Sequence, residues 1–147
     1  MWYQAGITYT DLLEIKLEKQ RESNARPSPR SLSKINNIIT KGLMHFNSFL
    51  KSFEGKINQI DESYYQSYGR AQFFIAVLHG KFITLDKKVK LENTEASLEA
   101  YEKVLEFCDG HEGAQDTIKL EIEACKEMVK LLPVKIVKLK SELPKQS

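Results

Sequence analysis

The residues of this chain best suited to chemistry are three histidines and two cysteines, and their spacing does not assemble a site. His45, His79 and His111 are far apart, and no pair of them has metal-ligand spacing with a cysteine or carboxylate on one helical face. Helix capping explains the glycine-flanked polar turn around His111. Cys108 and Cys125 each lie on an apolar helical face, as reduced core thiols do, although a disulfide is open to them if those faces meet. We therefore expect no metal site.

Phosphate-binding and nucleophile motifs are also missing from the sequence. Gly80 and Lys81 lack the upstream glycine and the following Ser or Thr that a P-loop requires. No serine or cysteine stands in a recognisable nucleophile signature. We expect a protein that is not an enzyme, with no catalytic residue and no cofactor.

Composition and charge are those of one ordinary globular domain spanning residues 1–147. The 147 residues are 41% hydrophobic and 29% charged, which is enough to bury a core. Lys plus Arg number 22 and Asp plus Glu number 20, so the net charge of +2 gives no indication of a nucleic-acid partner. No apolar run reaches the length of a membrane span and no signal peptide is recognisable, so we expect a cytoplasmic location.

Apolar residues recur at helical spacing in five segments of the chain. The third segment, residues 61–86, is apolar on two faces, and we expect it to be a central helix with Asp61 as its N-cap. The other predicted helices are residues 1–22, a segment capped by Asn93 or Thr94, and one that runs from the turn 109–113 to Pro133. A further segment, capped by Ser31 or Ser33 and ending at Gly55, carries a continuous apolar stripe of Ile35, Ile39, Leu43, Phe46, Leu50 and Phe53.

The connections between these helices follow from their composition. Residues 23–30 contain two prolines and almost nothing to bury, which predicts a flexible loop. Residues 86–92 are polar and lysine-rich, which predicts a surface connection. Pro133 is expected to break or kink the fifth helix, which leaves a short amphipathic C-terminal helix marked by Ile136 and Leu139.

Consecutive amphipathic helices joined by short turns predict an all-α fold of antiparallel helical hairpins. Such hairpins form either a compact bundle or the end of a tetratricopeptide-like α-solenoid. Ala76 and Ser97 favour the solenoid, because these small residues stand where tetratricopeptide helices approach closely. Core packing in any helical hairpin explains them as well. The prediction is five main helices plus the short C-terminal one.

Two clusters, one of tyrosines and one of lysines, are candidate partner-binding residues. They are Tyr64, Tyr65 and Tyr68, and Lys87, Lys88 and Lys90. The tyrosines could form an aromatic patch for a partner helix, but core packing with the hydroxyls at the rim is the stronger interpretation. The lysines could meet an acidic partner surface, but a solvated loop explains them more simply.

Residues 132–143 carry lysines among apolar residues, the pattern of a basic amphipathic helix that touches anionic membrane or calmodulin. A terminal solenoid helix with a solvated lysine face is the simpler interpretation. We therefore do not expect membrane contact.

Three longer stretches resemble the C-terminal region of the kinesin-binding protein (KIF-binding protein) family. They are SKINNIITKGLMHFNSFL from Ser33, GKFITLDKKVKLENTEASLEAYEKVLEFC from Gly80 and EACKEMVKLLPVKI from Glu123. The stretch AGITYTDLLEIKLEK in the first helix is similar too. The resemblance covers nearly the whole chain in the family's order, as extended similarity rather than as a catalytic motif.

The resemblance implies a tetratricopeptide-like solenoid that binds kinesin motor domains and keeps them off microtubules. It thereby implies regulation of cargo transport and, in animals, of axon growth, in a cytoplasmic protein associated with the cytoskeleton. It also implies that the chain corresponds to the last part of a longer family member. The rival hypothesis is structural, with helices that only cap the solenoid and bind nothing. An uncovered apolar face, at the tyrosine end or on the first helix, further predicts self-association.

Overall fold

Six α-helices make up most of the computed structural model, which describes residues 2–23 and 26–144. They are α1 (Trp2–Ser23), α2 (Pro29–Lys51), α3 (Tyr65–Lys81), α4 (Lys87–Gly110), the four-residue α5 (Ala114–Thr117) and α6 (Lys119–Glu142). Two turns of 3-10 helix, Ile57–Gln59 and Glu62–Tyr64, connect α2 to α3. No strand occurs within the described ranges, so the all-α prediction is confirmed.

The long helices pack in successive pairs: α1 on α2, α2 on α3, α3 on α4 and α4 on α6. The short connections between α1 and α2 and between α3 and α4 are those of antiparallel hairpins. The middle helix α3 also touches α1, α5 and α6, which confirms its predicted central position. The result is an all-α, solenoid-like array.

The core is formed by the apolar faces of the helices, two of them on the central α3. The predicted stripe on α2 is confirmed, because Ile35, Ile39 and Phe46 are fully buried. Phe46 is the largest fully buried side chain of the described residues, and its ring stacks on Phe74 of α3 with centroids 5.5 Å apart. Burying an apolar side chain of this kind contributes roughly 1.5–3 kcal/mol. The contact between α2 and α3 is therefore centred on Phe46.

α3 and α4 approach closely at the two small residues that the sequence singles out. The Ser97 hydroxyl donates a hydrogen bond of 2.7 Å to the carbonyl oxygen of Ala76, and both residues are buried. A larger side chain at either position would separate the helices. The close approach predicted at Ala76 and Ser97 is confirmed.

α4 begins at Lys87, so two predictions about its start are wrong: the surface connection over 86–92 and the cap at Asn93 or Thr94. Asp86 is the N-cap instead. Its Oδ1 accepts hydrogen bonds from the backbone N–H groups of Lys88, at 2.9 Å, and Val89, at 3.2 Å. An aspartate in this position satisfies N–H groups that have no partner inside the helix.

A contact between distant segments explains why α4 extends through this polar stretch. Leu91 is buried in a small cluster with Ile136 and Leu139 of α6. The lysines around it point outward and remain exposed. One buried leucine and a good cap therefore outweigh a local composition that is typical of a loop.

α2 also begins earlier than predicted. Its N-cap is Ser28, whose hydroxyl accepts a hydrogen bond of 3.1 Å from the N–H of Ser31, and Pro29 is the first helical residue. The predicted caps Ser31 and Ser33 are therefore wrong. A proline suits this position because its missing N–H would have had no partner there and its φ is already helical.

The connection between α1 and α2 is shorter than the predicted loop of residues 23–30. Ser23 ends α1 and Pro29 begins α2, and residues 26–28 are not helical. Asn24 and Ala25 lie outside the described residues. The flexibility of the loop stays a prediction.

The third helix is shorter than the predicted range 61–86. The predicted N-cap Asp61 is wrong for α3, whose N-cap is Tyr64. Asp61 instead caps the preceding 3-10 turn Glu62–Tyr64, where its carboxylate accepts a 2.9 Å hydrogen bond from Ser63 N–H. At the other end the chain leaves the helix after Lys81 and passes α2. There the side-chain Nδ2 of Asn36 donates a 2.7 Å hydrogen bond to the carbonyl oxygen of Ile83. Its Oδ1 accepts a 3.0 Å hydrogen bond from the Ile83 N–H. This pairing holds the segment after α3 in an extended form.

α6 continues through Pro133 to Glu142, so the predicted break and the separate C-terminal helix are wrong. Proline removes one backbone hydrogen bond, but Leu132 and Ile136 on either side of it are buried and hold the axis in place. The ring of Pro133 is exposed. No helix of the described residues is long and apolar enough to cross a membrane.

Both cysteines are free, buried thiols. Burial raises the pKa of Cys108 to about 11 and that of Cys125 to about 12, from an ordinary 9.0. We expect neither thiol to react with a disulfide reagent in the native protein at about pH 8, and both to react in denaturant. Rapid reaction of either thiol in the folded protein would contradict this burial.

The same shifts have a consequence for stability at high pH. The folded pKa exceeds the unfolded value, so the folded state binds more protons between pH 9.0 and about 12. The contribution of the thiols to stability is complete below pH 9.0 and is lost as the pH rises through this window. Chemical denaturation at increasing pH measures it, with the Cys125→Ala variant as the comparison.

Candidate protein-interaction surface

The three candidate tyrosines lie at one end of the molecule and differ in exposure. Tyr68 is buried and packs against Phe107, with ring centroids 4.6 Å apart. Tyr65 is half-buried, and its ring packs edge-on against Phe107 with centroids 5.9 Å apart. Tyr64 is 48% exposed and packs edge-on against Phe53 at 5.4 Å. Of the three, only Tyr64 is exposed. Tyr68 belongs to the core, where burial raises its pKa.

The three candidate lysines lie at the other end of α4. Lys87, Lys88 and Lys90 are exposed in its first turn, and Lys87 forms an ion pair of 3.7 Å with Glu142 of α6. At 1.5 Å per residue, about 30 Å of helix separates this turn from Phe107. The structure therefore does not bring the lysines and the tyrosines into one site.

A groove opens beside the tyrosines, between the C-terminal ends of α2 and α4. We call it the α2–α4 groove. It encloses about 610 Å³, within the range of ligand and peptide sites. Its floor includes Tyr68 and Gln72 of α3, and apolar walls come from Leu50 on α2 and Phe107 on α4.

Gln72 is the unusual residue of this groove. It is only 7% exposed, and its Oε1 atom is buried without a hydrogen-bond partner among the described residues. A buried polar atom without a partner costs roughly 1–3 kcal/mol. An amide left in this state beside an open groove can gain a hydrogen bond from a bound molecule.

His111 closes one end of the α2–α4 groove. Its Nε2 lies 2.8 Å from the carbonyl oxygen of Ile57 and its Nδ1 lies 2.9 Å from that of Phe107. The ring also packs against those of Phe107 and Tyr65, with centroids 4.3 Å and 5.5 Å away. His111 therefore holds the 3-10 turn Ile57–Gln59 against the end of α4 and fixes the shape of this end of the groove.

Both rims of the α2–α4 groove carry charges of both signs. Lys51 and Glu54 lie on the α2 side, and Lys103 and Glu106 lie on the α4 side. Apolar walls with mixed polar rims are typical of surfaces that bind polypeptide. No group of three metal-ligating side chains occurs in residues 2–23 and 26–144.

The family is decided by comparison with known proteins. The family described as "KIF-1 binding protein C terminal" matches residues 1–139. The chain belongs to this family.

Proteins from several animals are similar in sequence to this chain. KIF-binding proteins of Rattus norvegicus and Homo sapiens are each 32% identical over 148 residues, which cover 96% of this chain and 23% of the relative. The KIF-binding protein of Drosophila melanogaster is 29% identical over 152 residues, which cover 98% of this chain and 25% of the relative. The chain thus spans about a quarter of the length of these relatives. No solved structure matches it.

Sequence reasoning missed Gln72 as a feature of this site. The available signal was a glutamine inside the most apolar helix, between Ala71 and the run 73–78. A polar residue on a buried helical face requires a partner or a function. Whether Gln72 has a partner depends on α2 and α4, which the local sequence does not place.

Proposed function

We propose that this chain is a protein-interaction module that binds kinesin motor domains and inhibits their attachment to microtubules. In this role it regulates motor-driven transport in the cytoplasm. Membership in a family described as KIF-1 binding protein supports the proposal, as do relatives named KIF-binding protein. The free surface that best fits a protein partner is the α2–α4 groove.

The observation that carries the choice of this groove is Gln72, which lines it and whose buried Oε1 atom has no hydrogen-bond partner among the described residues. A side-chain amide has one acceptor and one donor group, and a peptide bond has the complementary pair. A backbone segment of the partner laid along the groove therefore pairs with whichever group of the Gln72 amide is turned toward the groove. Leu50 and Phe107 then cover the apolar side chains of that segment. The exposed Tyr64, four residues before Tyr68 of the groove floor, is a further proposed contact.

A pull-down with purified kinesin motor domains tests the groove through the Gln72→Leu variant. We expect binding about tenfold weaker than wild type, since the partner's polar backbone then meets an apolar side chain. The same change removes a buried unpaired oxygen, so it should leave stability equal or higher and a loss of binding cannot reflect unfolding. Gln115→Leu, at an exposed residue on α5, is the matched control and should bind like wild type.

Co-sedimentation of the motor domains with microtubules measures the inhibition directly. The chain should shift motor domains from the pellet to the supernatant, and Gln72→Leu should require about tenfold more protein for the same shift. Unchanged binding by Gln72→Leu would move the contact away from the groove. A chain that binds no motor domain at all would instead favour the purely structural, solenoid-capping role.

The lysine cluster defines a second place to look for partner contact. Lys88 and Lys90 have exposed side chains in the first turn of α4, and an acidic partner surface would pair with them. Contacts of this kind act mainly on the association rate and weaken as salt is added. They remain proposed contacts, separate from the groove.

A further inference from the structure

The outer face of α6 carries a stripe of four residues with a regular spacing. Glu127, Leu131, Val134 and Lys138 follow one another at intervals of four, three and four. Residues at these intervals lie on one face of a helix. We call these four residues the α6 stripe.

The α6 stripe is open to solvent, whereas the opposite face of the helix is used by the core. Leu131 is 60% exposed and Val134 is 71% exposed, and the neighbouring Val137 is 68% exposed. The side chains of Glu127 and Lys138 are exposed and form no ion pair within the described residues. The stripe thus combines uncovered apolar surface with two free opposite charges.

The order of these residues makes the stripe complementary to itself. The spacing of four, three and four is the same in both directions along the helix. In an antiparallel pair of α6 helices, Leu131 of each copy therefore lies opposite Val134 of the other, and Glu127 lies opposite Lys138. A twofold axis repeats each contact, as in an isologous dimer.

We propose that a second copy of this chain docks on the α6 stripe, with the two α6 helices antiparallel. Two apolar pairs at the centre and an ion pair at each end form the interface. The parallel arrangement would place Glu127 beside Glu127 and Lys138 beside Lys138, so charge repulsion disfavours it. An anionic membrane is a poorer occupant, because it would pair with Lys138 but would repel the exposed Glu127 of the same stripe, whereas a second copy pairs both charges.

The strength of this dimer is limited by its size. A single helix pair buries less than the roughly 1,200–2,000 Å² of a stable specific interface. We therefore expect a weak and concentration-dependent dimer. Self-association through the tyrosine end or α1, which the sequence suggested, stays an untested prediction for those faces.

Sedimentation velocity of the full 147-residue chain over a concentration series tests the proposal. We expect a monomer–dimer equilibrium, in which Glu127→Lys or Lys138→Glu alone weakens dimerisation about tenfold by placing like charges opposite each other twice. The double variant Glu127→Lys, Lys138→Glu restores both ion pairs with reversed sign. It should dimerise within about threefold of wild type. Glu102→Lys, an equal charge change on α4, is the control and should leave dimerisation unchanged.

Two results would overturn the proposal. One is a wild-type chain that stays monomeric up to about 1 mM, where even weak specific dimers are populated. The other is a double variant as weak as the single variants, because that outcome excludes Glu127 and Lys138 as partners of each other. Self-association is measured without any kinesin, so this result does not depend on the function proposed above.

Discussion

Replacing Phe46 by alanine is expected to lower the free energy of unfolding by about 3–5 kcal/mol. The ring is fully buried and joins three helices. It stacks on Phe74 of α3 at 5.5 Å and meets Tyr3 of α1 edge-on at 6.1 Å. Removing it leaves a cavity that the rings around it fill only in part. A domain of this size has a total stability of about 5–15 kcal/mol, so the loss is a large fraction of it.

Denaturant unfolding followed by far-UV circular dichroism measures this effect. Met44→Ala on the same helix is the control, because Met44 is 56% exposed and its truncation should change stability by about 0.5 kcal/mol or less. A Phe46→Ala variant as stable as this control would show that Phe46 does not hold α1, α2 and α3 together.

The second large effect is expected at Gly6, where α1 lies against Phe46. A Cβ atom on this residue would lie 2.6 to 2.8 Å from three atoms of the Phe46 ring. The ring cannot move aside, because Phe74 and Tyr3 pack around it. Gly6→Val should therefore lower the free energy of unfolding by about 2–3 kcal/mol, as overpacking of a full core does.

A double variant separates this clash from a general effect on the helix. Gly6→Val together with Phe46→Ala should be less destabilised than the sum of the single variants, by about 1–2 kcal/mol, because valine then fills part of the cavity. Gly110→Val is the matched control, since a Cβ atom there would meet nothing within 4 Å. Strict additivity would mean that residues 6 and 46 do not compete for the same space.

The proposed functions of this family member use two separate surfaces. The α2–α4 groove, lined by Gln72, is proposed for a polypeptide partner, and the self-complementary charges of the α6 stripe are proposed for a second copy. Gln72→Leu and Lys138→Glu should accordingly have separate effects, one on motor binding and the other on dimerisation. A variant at one surface that altered both readouts would indicate that dimerisation and motor binding are coupled.

Local sequence was sufficient for the features that depend on residues close together in the chain. The helical spacing of Ile35, Ile39 and Phe46 predicted the buried face of α2, because helical periodicity fixes which residues share a face. The sequence also indicated a capping role for Asp61, whose carboxylate accepts a hydrogen bond from an N–H group two residues away, although it caps the 3-10 turn before α3 and not α3 itself. These elements, and the all-α class, follow from the sequence by itself.

Only the tertiary structure decided the features that depend on distant segments. α4 extends back to Asp86 because Leu91 is covered by α6, and α6 passes through Pro133 because Leu132 and Ile136 are buried on either side. No local pattern contains these contacts. The same reason applies to the site. The sequence identified the tyrosines, but the groove beside them forms only where α2 and α4 come together. There the Oε1 atom of Gln72 is buried without a hydrogen-bond partner among the described residues. Whether a side chain is buried or paired by a distant segment is decided only in the folded chain.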